Sequence, residues 1–145
     1  MSKRALIEWL ARLFTGAHVA VYRATGGRIG GHFRGGPIAL LTTVGRKSGR
    51  RRTTPLLFIR DGDDVVVVAS NRGMDRAPAW WLNLQANPGA QIQVGRQAFR
   101  VRAEQADSEN RARLWPLLNQ MYPAYEDYQR GVSREIPVVR LRPDR

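Results

Sequence analysis

Five cationic side chains lie within eight consecutive residues, in the stretch GRKSGRRR at positions 45–52. An arginine can hold a phosphate or a carboxylate through two parallel N–H donors, and glycines allow backbone N–H groups to approach such a ligand closely. Five like charges on one turn repel each other, and a polyanionic ligand would remove that repulsion. The residues therefore favour a binding site for a polyanion, with a solvated basic hairpin tip as the alternative interpretation.

A second group with chemical potential is a row of tyrosines in the stretch MYPAYEDYQ. Tyr122, Tyr125 and Tyr128 are spaced by three, so on a helical segment they share a face. Hydroxyl groups above apolar rings are typical of a pocket for a flat, partly polar ligand. Ordinary core packing with hydroxyls at the edge is the alternative, because tyrosine is often part-buried.

Other catalytic patterns are missing from the sequence. The two histidines, His18 and His32, have no second ligand at metal spacing and the chain has no cysteine, so we predict no metal site. The GRKSG segment lacks P-loop spacing, and there is no nucleophile elbow. If the protein is an enzyme, a bound cofactor is expected to supply the chemistry.

Composition narrows the class of partner only partly. The 145-residue chain fits one domain, and its formal net charge is +12. Such a field attracts nucleic acids, membrane phosphates or a polyanionic small molecule. The densest cations occupy a single turn and the tyrosines lie elsewhere, which argues against nucleic acid. The absence of cysteine suits the cytoplasm, and no apolar run is long enough to predict a transmembrane helix.

The N-terminal segment is predicted to be an amphipathic helix over residues 3–24. Its apolar positions recur at spacings of three and four: Leu6, Trp9, Leu10, Leu13, Ala17, Ala20 and Val21. This face packs on the core, lies on an anionic membrane surface or docks a partner. Six glycines in positions 26–37 indicate a flexible connection. We therefore divide the chain into a helix with its linker at 1–28 and a main domain at 29–145.

The main domain is dominated by strand signals with short turns. Strands are predicted at 38–44, 53–60, 65–70, 90–95, 97–104 and 135–141, and helices at 78–86, 107–121 and 123–131, with a kink at Pro116. Many strands, short turns and few crossover helices favour an α+β, mainly β fold, namely an antiparallel β-barrel with surrounding helices.

Four stretches, taken together and in this order, resemble the deazaflavin-dependent nitroreductase family. They are LTTVGRKSGRRRTTPL, VVVASNRGMDRAPAWWLNLQANP, MYPAYEDYQ and REIPVVRL, and the likeness runs from about residue 30 to residue 143. The family includes F420H2-dependent quinone reductases and belongs to the FMN-binding split β-barrel superfamily. The resemblance implies a split β-barrel that binds coenzyme F420, a deazaflavin whose tail is a polyanion.

The resemblance also implies roles for particular residues. The residues expected to bind the cofactor are Arg46, Lys47, Ser48, Gly49, Arg52, Thr54, Pro55, Leu56, Ala69, Ser70, Asn71, Pro78, Trp81 and Asn83. The residues expected to line the substrate side are Tyr122, Tyr125 and Tyr128. Either Tyr125 or Ser70 would orient the acceptor or donate a proton, and the sequence does not choose between them.

The implied activity is transfer of a hydride from reduced F420 to a quinone, an enone or a nitroaromatic compound. Two alternatives remain open: a split barrel that binds FMN or heme, and a carrier of F420 without catalysis. The implied location is the cytoplasm, with peripheral membrane contact through the N-terminal helix, and no nucleic acid is expected as a partner.

Overall fold

The computed structural model describes residues 2–144, in which eight antiparallel strands form one curled sheet. The strands are β1 (His32–Phe33), β2 (Gly36–Val44), β3 (Arg51–Leu57), β4 (Ile59–Asp61), β5 (Asp64–Val68), β6 (Gly89–Val94), β7 (Gln97–Gln105) and β8 (Val138–Pro143). Their order in the sheet is β1-β2-β6-β7-β8-β5-β4, and β3 pairs with β2 outside this path. The predicted mainly antiparallel fold is confirmed.

Buried β-branched residues explain why the sheet closes on a core. All five residues of β5, DVVVV, are buried, and branched side chains favour extended backbone. The predicted single strand at 53–60 is divided into β3 and β4 at Phe58. This residue is only 5% exposed, and its backbone N–H donates to the carbonyl oxygen of Pro37.

Four helices surround the sheet in the described part of the chain: α1 (Lys3–Thr25), α2 (Ala79–Ala86), α3 (Ser108–Met121) and α4 (Ala124–Gly131). Ser2 caps α1 by accepting a hydrogen bond from the Ala5 N–H, and Asp107 caps α3 in the same way through Asn110. Gly26 ends α1 with a φ of 62°, in the left-handed region that glycine adopts readily. α3 continues past Pro116 to Met121.

Helix α1 is attached to the sheet by its C-terminal half. Val19 and Tyr22 pack against Ile38 and Leu40 of β2. The Tyr22 hydroxyl donates to the Ile38 carbonyl oxygen at 2.9 Å and accepts from the Gly95 N–H at 2.8 Å. The first half of the helix therefore extends along the surface from a firmly anchored end.

The apolar stripe predicted on α1 does not pack on the core. Its large members remain exposed: Leu6, Trp9, Leu10, Leu13 and Val21. The half-buried and buried positions Thr15, His18, Val19 and Tyr22 form a different face. Ile7 and Phe14, which are 65% and 78% exposed, add to the outward apolar surface. Among the interpretations of this stripe, packing on the core is wrong.

Candidate functional site

A cavity of about 770 Å³ lies between α1, β1, β3, the loop after β5, and α4. This volume is in the range of sites for small organic ligands. Six of the residues predicted from sequence line it: Pro55, Leu56, Ser70, Tyr122, Tyr125 and Tyr128. Ten further residues complete the lining: Ala11, Phe14, Thr15, His18, His32, Phe33, Ile38, Leu57, Val68 and Arg72.

The three tyrosines form one aromatic cluster at the wall of this cavity. Tyr122 ends α3, while Tyr125 and Tyr128 lie on α4. The rings of Tyr122 and Tyr125 meet edge to face, with centroids 5.0 Å apart. The hydroxyl oxygens of Tyr122 and Tyr128 are 3.2 Å apart and share a hydrogen bond. Two of the three hydroxyls are therefore already engaged with each other.

Tyr125 differs from its neighbours in burial and in the state of its hydroxyl. Its side chain is 4% exposed. Burial, together with the adjacent Tyr122 and Tyr128, raises the pKa of Tyr125 well above its usual value. Within the described residues the Tyr125 hydroxyl has no hydrogen-bond partner. No fully buried side-chain oxygen in these residues lacks a partner, so the Tyr125 hydroxyl is accessible from the cavity that Tyr125 lines. Tyr125 therefore presents a neutral phenol to the cavity, able to donate a hydrogen bond.

Ser70 enters the cavity at the start of a tightly held loop. Three successive residues after it have left-handed backbone: Asn71 (φ 48°), Arg72 (φ 55°) and Gly73 (φ 79°). The Arg134 guanidinium donates to four carbonyl oxygens of this segment, at distances between 3.1 and 3.4 Å: those of Ala69, Ser70, Met74 and Arg76. Arg134 therefore fixes the position of Ser70 at the wall of the cavity.

The basic turn lies at the other end of the β2–β3 hairpin from the cavity. Gly45 and Gly49 close it, since the Gly49 N–H donates to the Gly45 carbonyl at 2.8 Å. The Ser48 hydroxyl accepts from the Arg50 N–H at 3.1 Å. Gly49 has a φ of 70°, a conformation that favours glycine. The turn has a defined shape without any ligand.

Asn83 connects this turn to helix α2. Its side-chain oxygen accepts from both the backbone N–H and a guanidinium N–H of Arg46, at 3.1 and 3.0 Å. Its amide nitrogen donates to the Thr43 hydroxyl at 3.2 Å. Asn83 is 4% exposed, so these bonds are largely shielded from water. Residues predicted from two distant motifs therefore act as one unit.

The cations of the turn are available to an anionic ligand. The Arg51 guanidinium donates to Gln91 at 2.7 Å, and Lys47 and Arg52 are exposed. Within the described residues, none of the five cations forms an ion pair with a carboxylate. The chemistry of this donor set fits a polyanionic tail.

The separation of turn and cavity constrains the ligand. Five residue steps along β3 separate Arg51 from Leu56, or roughly 17 Å at the usual strand rise. Among the described strands β3 pairs with β2 alone, so its outer edge is open, and Pro55, which lacks an N–H, is tolerated there. A ligand that reaches both places needs a flat group at one end and an anionic chain at the other.

Other residues predicted from sequence do not line the cavity. Ala69 and Trp81 belong to the core, with 0% and 6% exposure. Pro78 caps α2, and Thr54 is half-buried on β3 opposite Leu41. Contact of these residues with a cofactor stays a prediction.

Sequence reasoning missed the contribution of α1 and the glycine-rich segment to the cavity. Phe14 and His18 come from α1, and His32 and Phe33 form β1. His18 is tied to this segment, because its Nε2 lies 2.7 Å from the Gly30 carbonyl oxygen. A signal was present in the unusual placing of His32 and Phe33 among glycines. Within residues 2–144 no group of three potential metal ligands is found.

The family model described as F420H(2)-dependent quinone reductase matches residues 14–143. The F420H(2)-dependent quinone reductase Rv1261c of Mycobacterium tuberculosis (strain H37Rv) is 45% identical over 128 residues, which cover 86% of each chain. The residues that the family model matches include the turn, the Ser70 loop and the tyrosine cluster.

Solved structures agree with this result. The structure of an F420-H2 dependent reductase (FDR-A) is 36% identical in sequence and superposes with a TM-score of 0.68. The match covers 72% of this chain and 93% of the FDR-A chain. The heme storage protein HutZ from Vibrio cholerae has a TM-score of 0.59 at 15% identity, covering 90% and 91%. At that identity, HutZ is similar in fold alone.

Proposed function

This chain belongs to the F420H(2)-dependent quinone reductase family, and from that membership we propose that it reduces a quinone with reduced coenzyme F420. It is an F420-dependent oxidoreductase with a split-barrel fold. The observation that carries the proposal is the pairing of an unneutralised cationic turn with a tyrosine-lined cavity on the same hairpin. When bound, reduced F420 supplies the hydride.

On the cofactor side, the basic turn would hold the anionic tail. Arg46 and Lys47 supply charge, Ser48 supplies a hydroxyl, and Gly49 keeps the backbone open to close approach. The outer edge of β3, at residues 54–56, would border the flat ring system. The cavity is lined largely by apolar and aromatic groups, which would limit the access of water to the hydride path once ligands are bound.

On the acceptor side, Tyr125 would donate a hydrogen bond to an acceptor oxygen. A tyrosine is protonated at neutral pH, and the raised pKa of Tyr125 extends the protonated form to higher pH. Its hydroxyl has no partner among the described residues. Ser70, fixed by Arg134, would also bind the acceptor from the loop that borders the cavity. Because the recognised feature is an oxygen on a flat ring, enones and nitroaromatic compounds are proposed as further acceptors.

Titration with F420 and FMN, followed by fluorescence, tests the cofactor assignment. We expect saturable F420 binding and no FMN binding by the purified protein. Menadione reduction with reduced F420 then separates an enzyme from a carrier. FMN binding with no F420 binding, or a Soret band from bound heme, would favour the alternative split-barrel functions.

We also propose that the N-terminal half of α1 binds the anionic surface of the cytoplasmic membrane. Its outward apolar side chains include Trp9 and Phe14, and Phe14 also lines the cavity. A helix with such a face on a chain of net charge +12 is suited to an interface rich in anionic lipid. No helix within the described residues is long and apolar enough to cross a membrane.

Removing residues 1–10 tests this role of α1. We expect the truncated protein to lose binding to phosphatidylglycerol vesicles in a flotation assay while its F420 affinity stays within about twofold. This cut removes Trp9 and Leu10 but retains the part of α1 that lines the cavity, and it retains Val19 and Tyr22, which anchor the helix. Removing residues 1–28, the helix and linker defined from the sequence, would also expose Ile38 and Leu40, because it removes Val19 and Tyr22. Equal binding of both proteins to the vesicles, or full-length binding to neutral vesicles alone, would contradict the proposal.

A further inference from the structure

Arg72 is the one permanently charged side chain among the described residues that line the cavity. The other lining residues are apolar, aromatic, hydroxyl-bearing or histidine, and there is no carboxylate among them. Within the part of the chain that the structure describes, the Arg72 guanidinium forms no hydrogen bond and no ion pair. Its charge is available to a ligand in the cavity.

The backbone holds Arg72 at this place from both sides. Its φ of 55° is disfavoured for residues other than glycine and asparagine. Arg134 donates to the carbonyl oxygens of Ser70 and Met74, on either side of it. Gly73 lies against the Tyr128 ring, where an added Cβ would be 2.9 Å from a ring carbon. Structure outside the loop thus imposes a conformation that the loop alone would not favour.

Arg72 and Arg34 act together on the hydroxyl end of the tyrosine cluster. The hydrogen bond with Tyr122 raises the pKa of Tyr128 and burial adds to this, while the charges of Arg34 and Arg72 oppose the shift. Arg34 also stacks over the Phe33 ring, with its guanidinium carbon 5.5 Å from the centroid. This end of the cavity therefore favours negative charge on a bound group.

We propose that Arg72 is a catalytic residue that stabilises the aryloxide formed when a quinone accepts a hydride. Addition of the hydride to a quinone gives the hydroquinone monoanion, with no proton needed at that step. The negative charge on oxygen is new, so a guanidinium beside it stabilises the product of the transfer more than the neutral quinone. A proton from solvent later completes the hydroquinone. This inference rests on the proposed quinone reduction.

Binding of two naphthoquinones of similar size tests the proposal without turnover. Menadione is neutral, whereas 2-hydroxy-1,4-naphthoquinone is an anion at neutral pH and represents the aryloxide. We expect Arg72→Gln to weaken binding of the anion about tenfold and that of menadione less than twofold, with Arg72→Lys intermediate. The matched control is Arg60→Gln, which also removes one positive charge, from the exposed position 60 on β4. This substitution should change neither affinity.

Kinetics with reduced F420 provide a second measurement. Arg72→Gln should lower kcat for menadione about tenfold and leave KM within about twofold, because the charge develops only in the reaction. Arg72→Gly, which suits the left-handed backbone, keeps the test valid if Arg72→Gln folds poorly. Equal weakening of both ligands, unchanged binding of both, or no binding of either to the wild type would overturn the inference. Failure of the wild type to reduce menadione, with charge-selective binding intact, would instead reject the proposed function.

Discussion

The Arg46→Ala, Lys47→Ala double variant is expected to bind coenzyme F420 more than tenfold more weakly than the wild type. Each charge-assisted hydrogen bond is worth about 1.5–3 kcal/mol, and about 1.4 kcal/mol corresponds to a factor of ten. Neither cation has a carboxylate partner within the described residues, so neither is compensated in the free protein. The Arg46 guanidinium also donates to Asn83; Arg46→Ala removes that bond, while the backbone N–H of residue 46 still donates to Asn83.

The measurement is a fluorescence titration with F420 at several salt concentrations. The loss of affinity should shrink as salt rises, because ions screen the attraction between the tail and exposed cations. The control is Arg60→Ala, Arg102→Ala, which removes two exposed cations from β4 and β7 and lowers the net charge equally. Wild-type affinity of the turn variant at low salt, or an equal loss in the control, would reject the turn as the tail site.

Tyr125→Phe is expected to lower the rate of menadione reduction at least several-fold while leaving the F420 dissociation constant nearly unchanged. Loss of one hydrogen bond of about 1–1.5 kcal/mol corresponds to roughly a tenfold lower rate. The raised pKa keeps the phenol protonated, so its contribution should be constant across neutral pH and fall only where the phenol ionises, well above its usual range.

The matched controls are Tyr122→Phe and Tyr128→Phe. Their hydroxyls bond each other, so each substitution leaves the Tyr125 hydroxyl in place and should reduce the rate less. Steady-state rates and F420 titrations on the same preparations separate the two roles. Wild-type rates in all three variants would mean that the hydroxyls only pack or contact solvent. Weaker F420 binding with normal chemistry would place the tyrosines against the cofactor.

Local signals in the sequence were sufficient for most of the fold, and they suggested two parts of the proposed site. Alternation and β-branched residues predicted the strands, since burial on a sheet face imposes that pattern over a few residues. The cluster of cations at 45–52 and the three-residue spacing of Tyr122, Tyr125 and Tyr128 are also local signals. Together with the family resemblance, they placed the turn, the strand at 54–56 and the tyrosines in one proposed site.

Long-range contacts decided the rest, because no short stretch of sequence encodes them. The bonds from Arg134 to the Ser70 carbonyl and from Arg46 to Asn83 join residues 64 and 37 positions apart. The hydrogen bonds of the Tyr22 hydroxyl with Ile38 and Gly95 determine which face of α1 packs on the sheet. The more apolar stripe of the helix remains exposed to solvent. Arg72 faces the cavity because Arg134 and Tyr128 hold an otherwise unfavourable backbone. By itself the sequence determined which residues can bind and react, and the tertiary structure determined which of their charges and hydroxyls remain unpaired and meet in one cavity.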